Sequence, residues 1–307
     1  MQASANTLEE YHNMTTVGFI GLGIMGAPMA EHLIAAGHQV TGYSRGSSGS
    51  AWATRLTEAG GRVASEVAAA VADADVVITM LPNHPEVEEV VLGDKGVLAS
   101  ARPGTLLIDM STIRPESSIA IATAAAERDI RVLDAPVSGG EAGAKQGTLS
   151  IMVGGTDADF EAARPILDPV GKTIVHVGQH GAGQTVKAAN QLVVAGTYAL
   201  ISEAIVLLEA SGVDAKAGLD VLAGGLAASR ILDLKRESML ARQFQAGFRI
   251  DLHNKDMGIA IAAARSADVA LPVTGLTAQL MVAARSMGFG SLDHSALLMV
   301  IEALSGR

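Results

Sequence analysis

The stretch Phe19-Ile-Gly-Leu-Gly-Ile-Met-Gly26 decides the fold, because it places three glycines in the GxGxxG spacing directly after an apolar run. Gly21 permits a tight turn, Gly23 lets the backbone approach a ligand closely, and Gly26 lets a helix pack against the preceding strand. A glycine-rich turn in another α/β protein has the same triplet. At the first βα junction of a sheet, however, the motif predicts dinucleotide binding, with the pyrophosphate at the free N–H groups of the helix.

Outward from this motif, short apolar runs alternate with alanine-rich segments of helical length as far as His176. This alternation predicts repeated βαβ units and a doubly wound parallel sheet. Runs such as VVITM and TLLID are apolar on both faces, as strands covered by helices on both sides must be. The strands are predicted at residues 17–20, 38–43, 76–81, 105–109, 131–134, 148–153 and 173–177, with a weaker one near Arg62.

The pattern becomes helical after Gly183 and stays so to the C-terminus. The first helix, predicted over residues 184–211, is apolar nearly all round, which predicts burial on most of its sides. Later helices are predicted to start near Asp214, Ser229, Asp251, Pro272 and Asp293. The predicted fold is an α/β Rossmann doubly wound parallel sheet (residues 15–178) followed by an all-α C-terminal domain (residues 179–307), with a disordered extension over residues 1–14.

Composition excludes several classes of function. The 307 residues carry a net charge of −10 and no cysteine, which argues against nucleic acid as a partner and excludes disulfides, thiolate nucleophiles and cysteine-ligated metals. No H-E-x-x-H motif occurs, so no metal site is expected, and a serine hydrolase is not expected either. Residues 1–14 have no signal or transit character, and the apolar segment 192–208 is interrupted by Ser202 and Glu203. A cytoplasmic protein without a membrane partner is expected.

The end of the second predicted strand bears on which dinucleotide is bound. An acidic residue there accepts hydrogen bonds from a free ribose 2′-hydroxyl, but this strand ends in Tyr43-Ser44-Arg45. A hydroxyl followed by a guanidinium suits a 2′-phosphate, so NADP(H) is favoured and NAD(H) stays open. The alternative is that Arg45 is an ordinary solvated residue.

Two further segments carry candidate chemistry. Ser138, Gly139 and Gly140 follow a strand and offer a hydroxyl and backbone N–H groups to a small carboxylate, although a plain turn has the same sequence. Lys187 lies early in the apolar helix, with Asn190 one turn further on. A buried lysine of this kind can donate a proton to the oxygen of a carbonyl group whose carbon accepts a hydride, and Asn190 would orient the substrate. Snorkelling or a structural ion pair is the alternative for Lys187.

Taken together, five ordered blocks over residues 16–297 resemble the β-hydroxyacid dehydrogenase family. They are Gly21-Leu-Gly-Ile-Met-Gly-Ala-Pro-Met29, Asp109-Met-Ser-Thr112, Asp134-Ala-Pro-Val-Ser-Gly-Gly140 with Gly147-Thr-Leu-Ser-Ile-Met-Val-Gly-Gly155, Lys187-Ala-Ala-Asn-Gln191, and Lys255-Asp256. The resemblance implies a Rossmann domain, a helical substrate and oligomerisation domain, and a homodimer or homotetramer with interlocking helical domains.

The resemblance also implies roles for individual residues. Lys187 would be the catalytic acid/base, with Ser138, Gly139, Gly140 and Asn190 around the substrate. The cofactor residues would be Gly21, Leu22, Gly23, Ile24, Met25, Gly26, Ser44, Arg45, Leu81, Pro82, Thr112 and Lys255. An ion pair with Asp256 is the alternative for Lys255, and a helix cap before Pro115 is the alternative for Thr112. Ser44 departs from the Asp or Asn that relatives often carry.

Blocks in the helical half point to one reaction within this family. Gly224-Gly-Leu-Ala-Ala-Ser229, Gly247-Phe-Arg-Ile-Asp-Leu-His253 and Leu292-Asp-His-Ser-Ala-Leu297 resemble members that reduce tartronate semialdehyde (2-hydroxy-3-oxopropanoate) to D-glycerate. The alternatives are a 3-hydroxyisobutyrate or sulfonated short-chain dehydrogenase, an imine reductase, against which Lys187 counts, and a catalytically inactive NADP-binding scaffold.

Overall fold

The structure is a computed structural model that describes residues 14–45 and 51–307. Within it the chain divides into two compact units, of which the first ends at Lys187 and the second comprises Ala188–Arg307. The predicted disordered extension lies outside the described residues except for Met14. The predicted domain boundary at residue 178 falls earlier than this division, because the first turn of the following helix is hydrogen-bonded to the first unit.

The first unit alternates strands and helices, as the sequence predicts. Its strands are β1 (Thr16–Ile20), β2 (Gln39–Tyr43), β3 (Arg62–Val63), β4 (Val76–Thr79), β5 (Leu106–Asp109), β6 (Arg131–Asp134), β7 (Val137–Ser138), β8 (Leu149–Gly154) and β9 (Gly171–Gly178). Its helices are α1 (Gly26–Ala35), α2 (Ala51–Glu58), α3 (Val67–Val71), α4 (His84–Leu92), α5 (Val97–Ser100), α6 (Pro115–Ala126), α7 (Gly140–Gln146) and α8 (Asp157–Leu167).

Six strands form a parallel sheet in the order β3-β2-β1-β4-β5-β6, and this confirms the predicted Rossmann fold. Beyond β6 the sheet departs from a purely parallel arrangement. Strand β8 is antiparallel to both β6 and β7, and β9 runs parallel to β8. The connection from β6 to β8 contains only the two-residue strand β7 and the short helix α7, so the chain turns back rather than making a helical crossover.

Apolar side chains on both faces of the sheet are buried. Ile78 and Ile108 belong to one hydrophobic cluster and their neighbours Val77 and Leu107 to the other, and all four are at most 1% exposed. This alternation follows from the period of two along a strand, and it explains why the strand sequences are apolar throughout.

The second unit is all-α, as predicted, with only an isolated β-bridge between Arg249 and Asp293 in its described residues. The long helix α9 (Ala182–Ala210) enters it and is followed by α10 (Ala215–Ala223), α11 (Arg230–Leu240), α12 (Ile250–Ser266), α13 (Pro272–Ser286), a 3₁₀ turn (His294–Ala296) and α14 (Leu297–Leu304). The side chains of Asp214 and Ser229 accept hydrogen bonds from the first turns of α10 and α11, which explains where these helices start.

The prediction that α9 is buried on most sides is wrong for the chain alone. Val186 is 39% exposed, and Val193, Leu200 and Leu207 are 63%, 66% and 67% exposed. These four residues recur every seventh position and therefore form one stripe along the helix, which we call the α9 stripe. By length and composition α9 also passes the test for a membrane-crossing helix, which the core helix of a soluble protein passes as well.

Candidate active site

The glycine motif forms a tight loop between β1 and α1. Gly21 has a φ of +106°, and a side chain there would meet the Met80 carbonyl oxygen at 2.3 Å. A Cβ on Gly26 would meet the Gly21 carbonyl oxygen at 1.9 Å, whereas a Cβ on Gly23 would have no atom within 4 Å. The first and third glycines are therefore required by the fold. The second leaves an open cradle at the start of a helix, and this fits a dinucleotide pyrophosphate.

The residues predicted to contact the adenosine end follow β2. The Gly21 N–H donates to the Tyr43 carbonyl at 2.8 Å, which places the end of β2 beside the glycine loop. Arg45, however, pairs with Glu89 at 3.0 Å, and both side chains are about two-thirds exposed, at 67% and 69%. The guanidinium thus has a carboxylate partner before any phosphate is present.

Leu81, Pro82 and Thr112 lie at the same carboxyl edge of the sheet, after β4 and β5. The Leu81 N–H donates to the Ser111 hydroxyl at 2.9 Å, so the loops after these two strands are joined. Arg114 occupies the cap position of α6, so Thr112 is not the cap of that helix. The predicted cofactor residues of the first unit therefore line one edge of one sheet.

The Ser138–Gly140 segment is more structured than a plain turn. Ser138 ends the short strand β7, and Gly139 and Gly140 follow with φ of +135° and +60°, values that favour glycine. A Cβ on Gly140 would have no atom within 4 Å, so its backbone is open to approach. The segment can present backbone N–H groups to a small carboxylate.

Lys187 lies in the second turn of α9 and is only 6% exposed. Such burial argues against the snorkelling alternative, in which the ammonium reaches bulk water. Asn190 lies three residues further along the same helix. The predicted acid/base and this predicted substrate residue are thus carried on one helix, at the spacing that places them on neighbouring positions of its surface.

In the second unit a buried carboxylate fixes the orientation of two amides. Asp256 can only accept, so Gln191 donates to it through Nε2 at 2.6 Å. The Oε1 of Gln191 then accepts from Nδ2 of Asn190 at 2.8 Å. Lys255 pairs with Asp256 at 2.9 Å, which is the alternative foreseen for this lysine. The carboxylate therefore determines how the Asn190 amide is turned.

The buried His253 holds Gln191 through its backbone and is itself bonded to the buried His294. His253 donates through Nε2 to the Gln191 carbonyl at 3.1 Å, because a carbonyl oxygen only accepts. When His253 is neutral, its Nδ1 accepts, so the bond of 3.0 Å to His294 is donated by Nδ1 of His294. The ring of Tyr198 lies 4.0 Å from that of His294.

Sequence analysis assigned no role to four of the buried polar residues: Asp109, Asp134, Gln184 and Gln191. Asp109 and Asp134 are the last residues of adjacent strands and face each other in register. The signal that marks them is a carboxylate ending a run that is otherwise apolar. Among the described residues, no three histidine or acidic side chains are grouped as metal ligands.

Burial raises the pKa of Asp109 from 3.8 to about 6, against hydrogen bonds from Ser111 and Thr79 that favour its charged form. Its Oδ2 has no hydrogen-bond partner in the described part of the chain. Because the folded pKa is the higher one, the contribution of Asp109 to stability is present below pH 3.8 and is lost as the pH rises to about 6.

We therefore expect Asp109→Asn to remove one step from the pH dependence of stability. Between pH 4 and pH 7 the free energy of unfolding of the wild type should fall by about 2 kcal/mol relative to the variant. Urea unfolding at a series of pH values measures this difference. Parallel curves for the two proteins would show that Asp109 is not the titrating group.

Comparison with known proteins covers both units. A family model described as the NAD binding domain of 6-phosphogluconate dehydrogenase matches residues 16–178. A second model, described as the NAD-binding domain of NADP-dependent 3-hydroxyisobutyrate dehydrogenase, matches residues 181–301.

Similar proteins match over nearly their whole length. A 2-hydroxy-3-oxopropionate reductase of Escherichia coli is 42% identical over 95% of this chain and 98% of its own. A 2-(hydroxymethyl)glutarate dehydrogenase of Eubacterium barkeri is 38% identical over 94% of this chain and 96% of its own. The solved structure of Mycobacterium tuberculosis 3-hydroxyisobutyrate dehydrogenase with L-serine has a TM-score of 0.83 at 37% identity, covering 94% of this chain and 99% of that one.

Proposed function

Because the chain belongs to the β-hydroxyacid dehydrogenase family, as an NAD(P)-dependent oxidoreductase that acts on CH–OH groups, we propose that it reduces tartronate semialdehyde to D-glycerate. The observation that carries the proposal is a buried lysine in the second turn of α9, in a chain 42% identical to a 2-hydroxy-3-oxopropionate reductase.

Each predicted site residue has a defined task in this reaction. The nicotinamide cofactor, when bound, supplies the hydride. Lys187 gives a proton to the carbonyl oxygen of the substrate. Ser138 and the backbone N–H groups of Gly139 and Gly140 hold the substrate carboxylate, and Asn190, turned by Gln191, orients the substrate.

The other short-chain hydroxyacid dehydrogenase reactions considered for this chain would use the same residues and differ in the substrate. The resemblance to a 2-(hydroxymethyl)glutarate dehydrogenase and to a 3-hydroxyisobutyrate dehydrogenase is equally consistent with a short-chain 3-hydroxyacid dehydrogenase of another substrate, sulfonated ones included. The presence of Lys187 counts against both an imine reductase and an inactive scaffold.

A panel of short semialdehydes tests the proposal. We expect NADPH oxidation, followed by absorbance, to give the highest kcat/KM with tartronate semialdehyde. A higher value with the methyl-substituted or sulfonated three-carbon aldehyde would reassign the substrate within the family. No turnover with any of them, together with retained NADPH binding, would favour the scaffold.

NADP(H) is the proposed cofactor, and Arg45 is the residue that would recognise its 2′-phosphate. The ion pair with Glu89 must then open, or the Arg45 guanidinium must contact the Glu89 carboxylate and the phosphate together. We expect Arg45→Ala to raise the KM for NADPH about tenfold and to leave that for NADH unchanged, since a charge-assisted phosphate contact is lost. Arg102→Ala, which removes another exposed ion pair with a carboxylate, is the matched control. Equal effects on both cofactors would contradict the role of Arg45.

The remaining cofactor residues of the proposal lie after β1, β2, β4 and β5, except for Lys255. They are Gly21, Leu22, Gly23, Ile24, Met25, Gly26, Ser44, Leu81, Pro82, Thr112 and Lys255. For Lys255 the ion pair with Asp256 and contact with the cofactor are compatible, because an ammonium has three donors. The expectation of a cytoplasmic enzyme without nucleic-acid or membrane partners belongs to the same proposal.

A homodimer or homotetramer is proposed because the α9 stripe is apolar and exposed. Its four aliphatic residues follow the seven-residue period that suits helix-to-helix packing. We expect Leu200→Glu to shift the protein to a smaller species in analytical ultracentrifugation, since a buried unpaired carboxylate is unfavourable. Ile119→Glu, at an exposed apolar residue of α6, is the control. An unchanged mass for Leu200→Glu would exclude this stripe as the interface.

A further inference from the structure

The Gln184 side chain is fully buried at the start of α9 and bridges two peptide groups of a distant loop. Its Oε1 accepts from the Ile113 N–H at 3.0 Å, and its Nε2 donates to the Ser111 carbonyl at 2.8 Å. One amide therefore pairs with the backbone on both sides of Thr112. A donor and an acceptor are both needed, and the two bonds fix which way the amide is turned.

The backbone of the same residue is held by Asp134, the last residue of β6. The two carboxylate oxygens of Asp134 accept from the N–H groups of Gly181 and Gln184, at 2.7 and 3.0 Å. These are free donors at the N-terminus of α9, where a negative charge is favourable. A Cβ on Gly183 would lie 2.8 Å from Asp134 Oδ2, so the start of α9 packs too closely on the Asp134 side chain for any residue but glycine at this position.

These two residues join three segments of the candidate site. Gln184 brackets Thr112 and stands three residues before Lys187, and Asp134 stands four residues before Ser138. We propose that Asp134 and Gln184 are positioning residues that hold the Thr112 loop, the Ser138–Gly140 segment and the helix turn of Lys187 in one fixed arrangement. The proposal rests on the function assigned above and adds the residues that align its parts.

The physical reason is that catalysis by orientation tolerates little displacement. A shift of about 1 Å between a proton donor and its acceptor lowers a rate by as much as ~100-fold. Gln184 is bonded to peptide groups that would otherwise be buried and unpaired, so its loss moves the loop as well as weakening the fold.

Two substitutions separate positioning from simple stability. Gln184→Met keeps the shape and removes both hydrogen bonds. Gln184→Glu keeps them only when the new carboxyl is protonated, because the acid can donate to the Ser111 carbonyl and accept from the Ile113 N–H, whereas the carboxylate cannot donate. Burial raises the pKa of such a carboxyl, so the protonated form is reached at mildly acidic pH.

Thr105→Val is the matched control. Thr105 precedes β5, at the opposite end of the strand from Ser111, is 2% exposed, and its hydroxyl donates to the Ala74 carbonyl at 3.1 Å. This variant loses a buried hydrogen bond in the same sheet, away from the candidate site.

The experiment measures the dissociation constant of NADPH, the kcat with the best substrate of the panel and the melting temperature, from pH 5.5 to 8.5. We expect Gln184→Met to raise the dissociation constant and lower kcat about tenfold each at every pH. The kcat and the NADPH dissociation constant of Gln184→Glu should match those of Gln184→Met at high pH and approach the wild-type values at low pH. Thr105→Val should lose thermal stability alone.

Two results would overturn the proposal. One is a Gln184→Met enzyme whose kcat and NADPH affinity stay at the wild-type values while its melting temperature falls as in Thr105→Val. The other is a Gln184→Glu enzyme whose ratio to wild type does not change with pH, and this comparison decides the matter even if Gln184→Met does not fold. A wild type that turns over no aldehyde refutes the proposed function, while the NADPH dissociation constants still test the positioning role.

Discussion

Replacing Lys187 by alanine should lower kcat by about 100-fold or more, because the reaction loses its proton donor. The side chain is 6% exposed, so little water is available at the helix surface to take over its role. NADPH binding should change little, since the glycine loop and the strand ends that form the predicted cofactor site are elsewhere in the first unit. Stopped-flow absorbance and a separate NADPH titration measure the two quantities.

Two further variants identify what Lys187 contributes. Lys187→Arg keeps the positive charge but does not release its proton at any ordinary pH, so it should be nearly as inactive as the alanine variant. Lys145→Ala removes an exposed lysine that pairs with Glu141 and should behave as wild type. An active Lys187→Arg enzyme would mean that the lysine acts through its charge and that the proton comes from elsewhere.

Adding a methyl group at Gly23 should abolish most cofactor affinity without harming the fold. The position has no atom within 4 Å of a built Cβ, so Gly23→Ala should melt at the wild-type temperature. The methyl group would occupy the cradle proposed for the pyrophosphate, and we expect the dissociation constant of NADPH to rise about 100-fold. Calorimetric titration and thermal melting measure the two effects on the same samples.

Two other glycines act as controls. A Cβ on Gly26 would come within 1.9 Å of the Gly21 carbonyl oxygen, so Gly26→Ala should destabilise the first unit by about 1 to 3 kcal/mol. Gly275 lies in α13, where a Cβ would also have no atom within 4 Å. Gly275→Ala should leave cofactor binding unchanged and should not lower the stability of the protein. Wild-type affinity in Gly23→Ala would place the pyrophosphate somewhere else.

The sequence predicts the local parts of this fold well, because their signals lie within a few residues. Helix α1 begins at Gly26, the third glycine of the motif, and β6 has the bounds that the apolar run indicated. The reversal at β8 was not predicted, because β7 is two residues long and α7 seven, too short for a periodic pattern.

Contacts between residues that are far apart in the chain could not be predicted from the sequence. Gln184 is hydrogen-bonded to Ser111, which is 73 positions away in the sequence, and no local motif at either residue predicts this contact. The exposure of the α9 stripe could not be predicted, because an apolar helix surface has the same sequence pattern whether its own chain or a second copy covers it. The ion pair of Arg45 with Glu89 could not be predicted either, because the two residues are 44 positions apart in the sequence.

The most direct test of the account is the structure of the enzyme crystallised with NADP⁺ and a bound hydroxyacid product. The measurement is the distance from Nζ of Lys187 to the hydroxyl oxygen that is formed in the reduction. We predict a hydrogen-bond distance of ~3 Å. An ammonium group directed away from that oxygen, with another side chain in its place, would contradict the proton-donor role on which the proposed function depends.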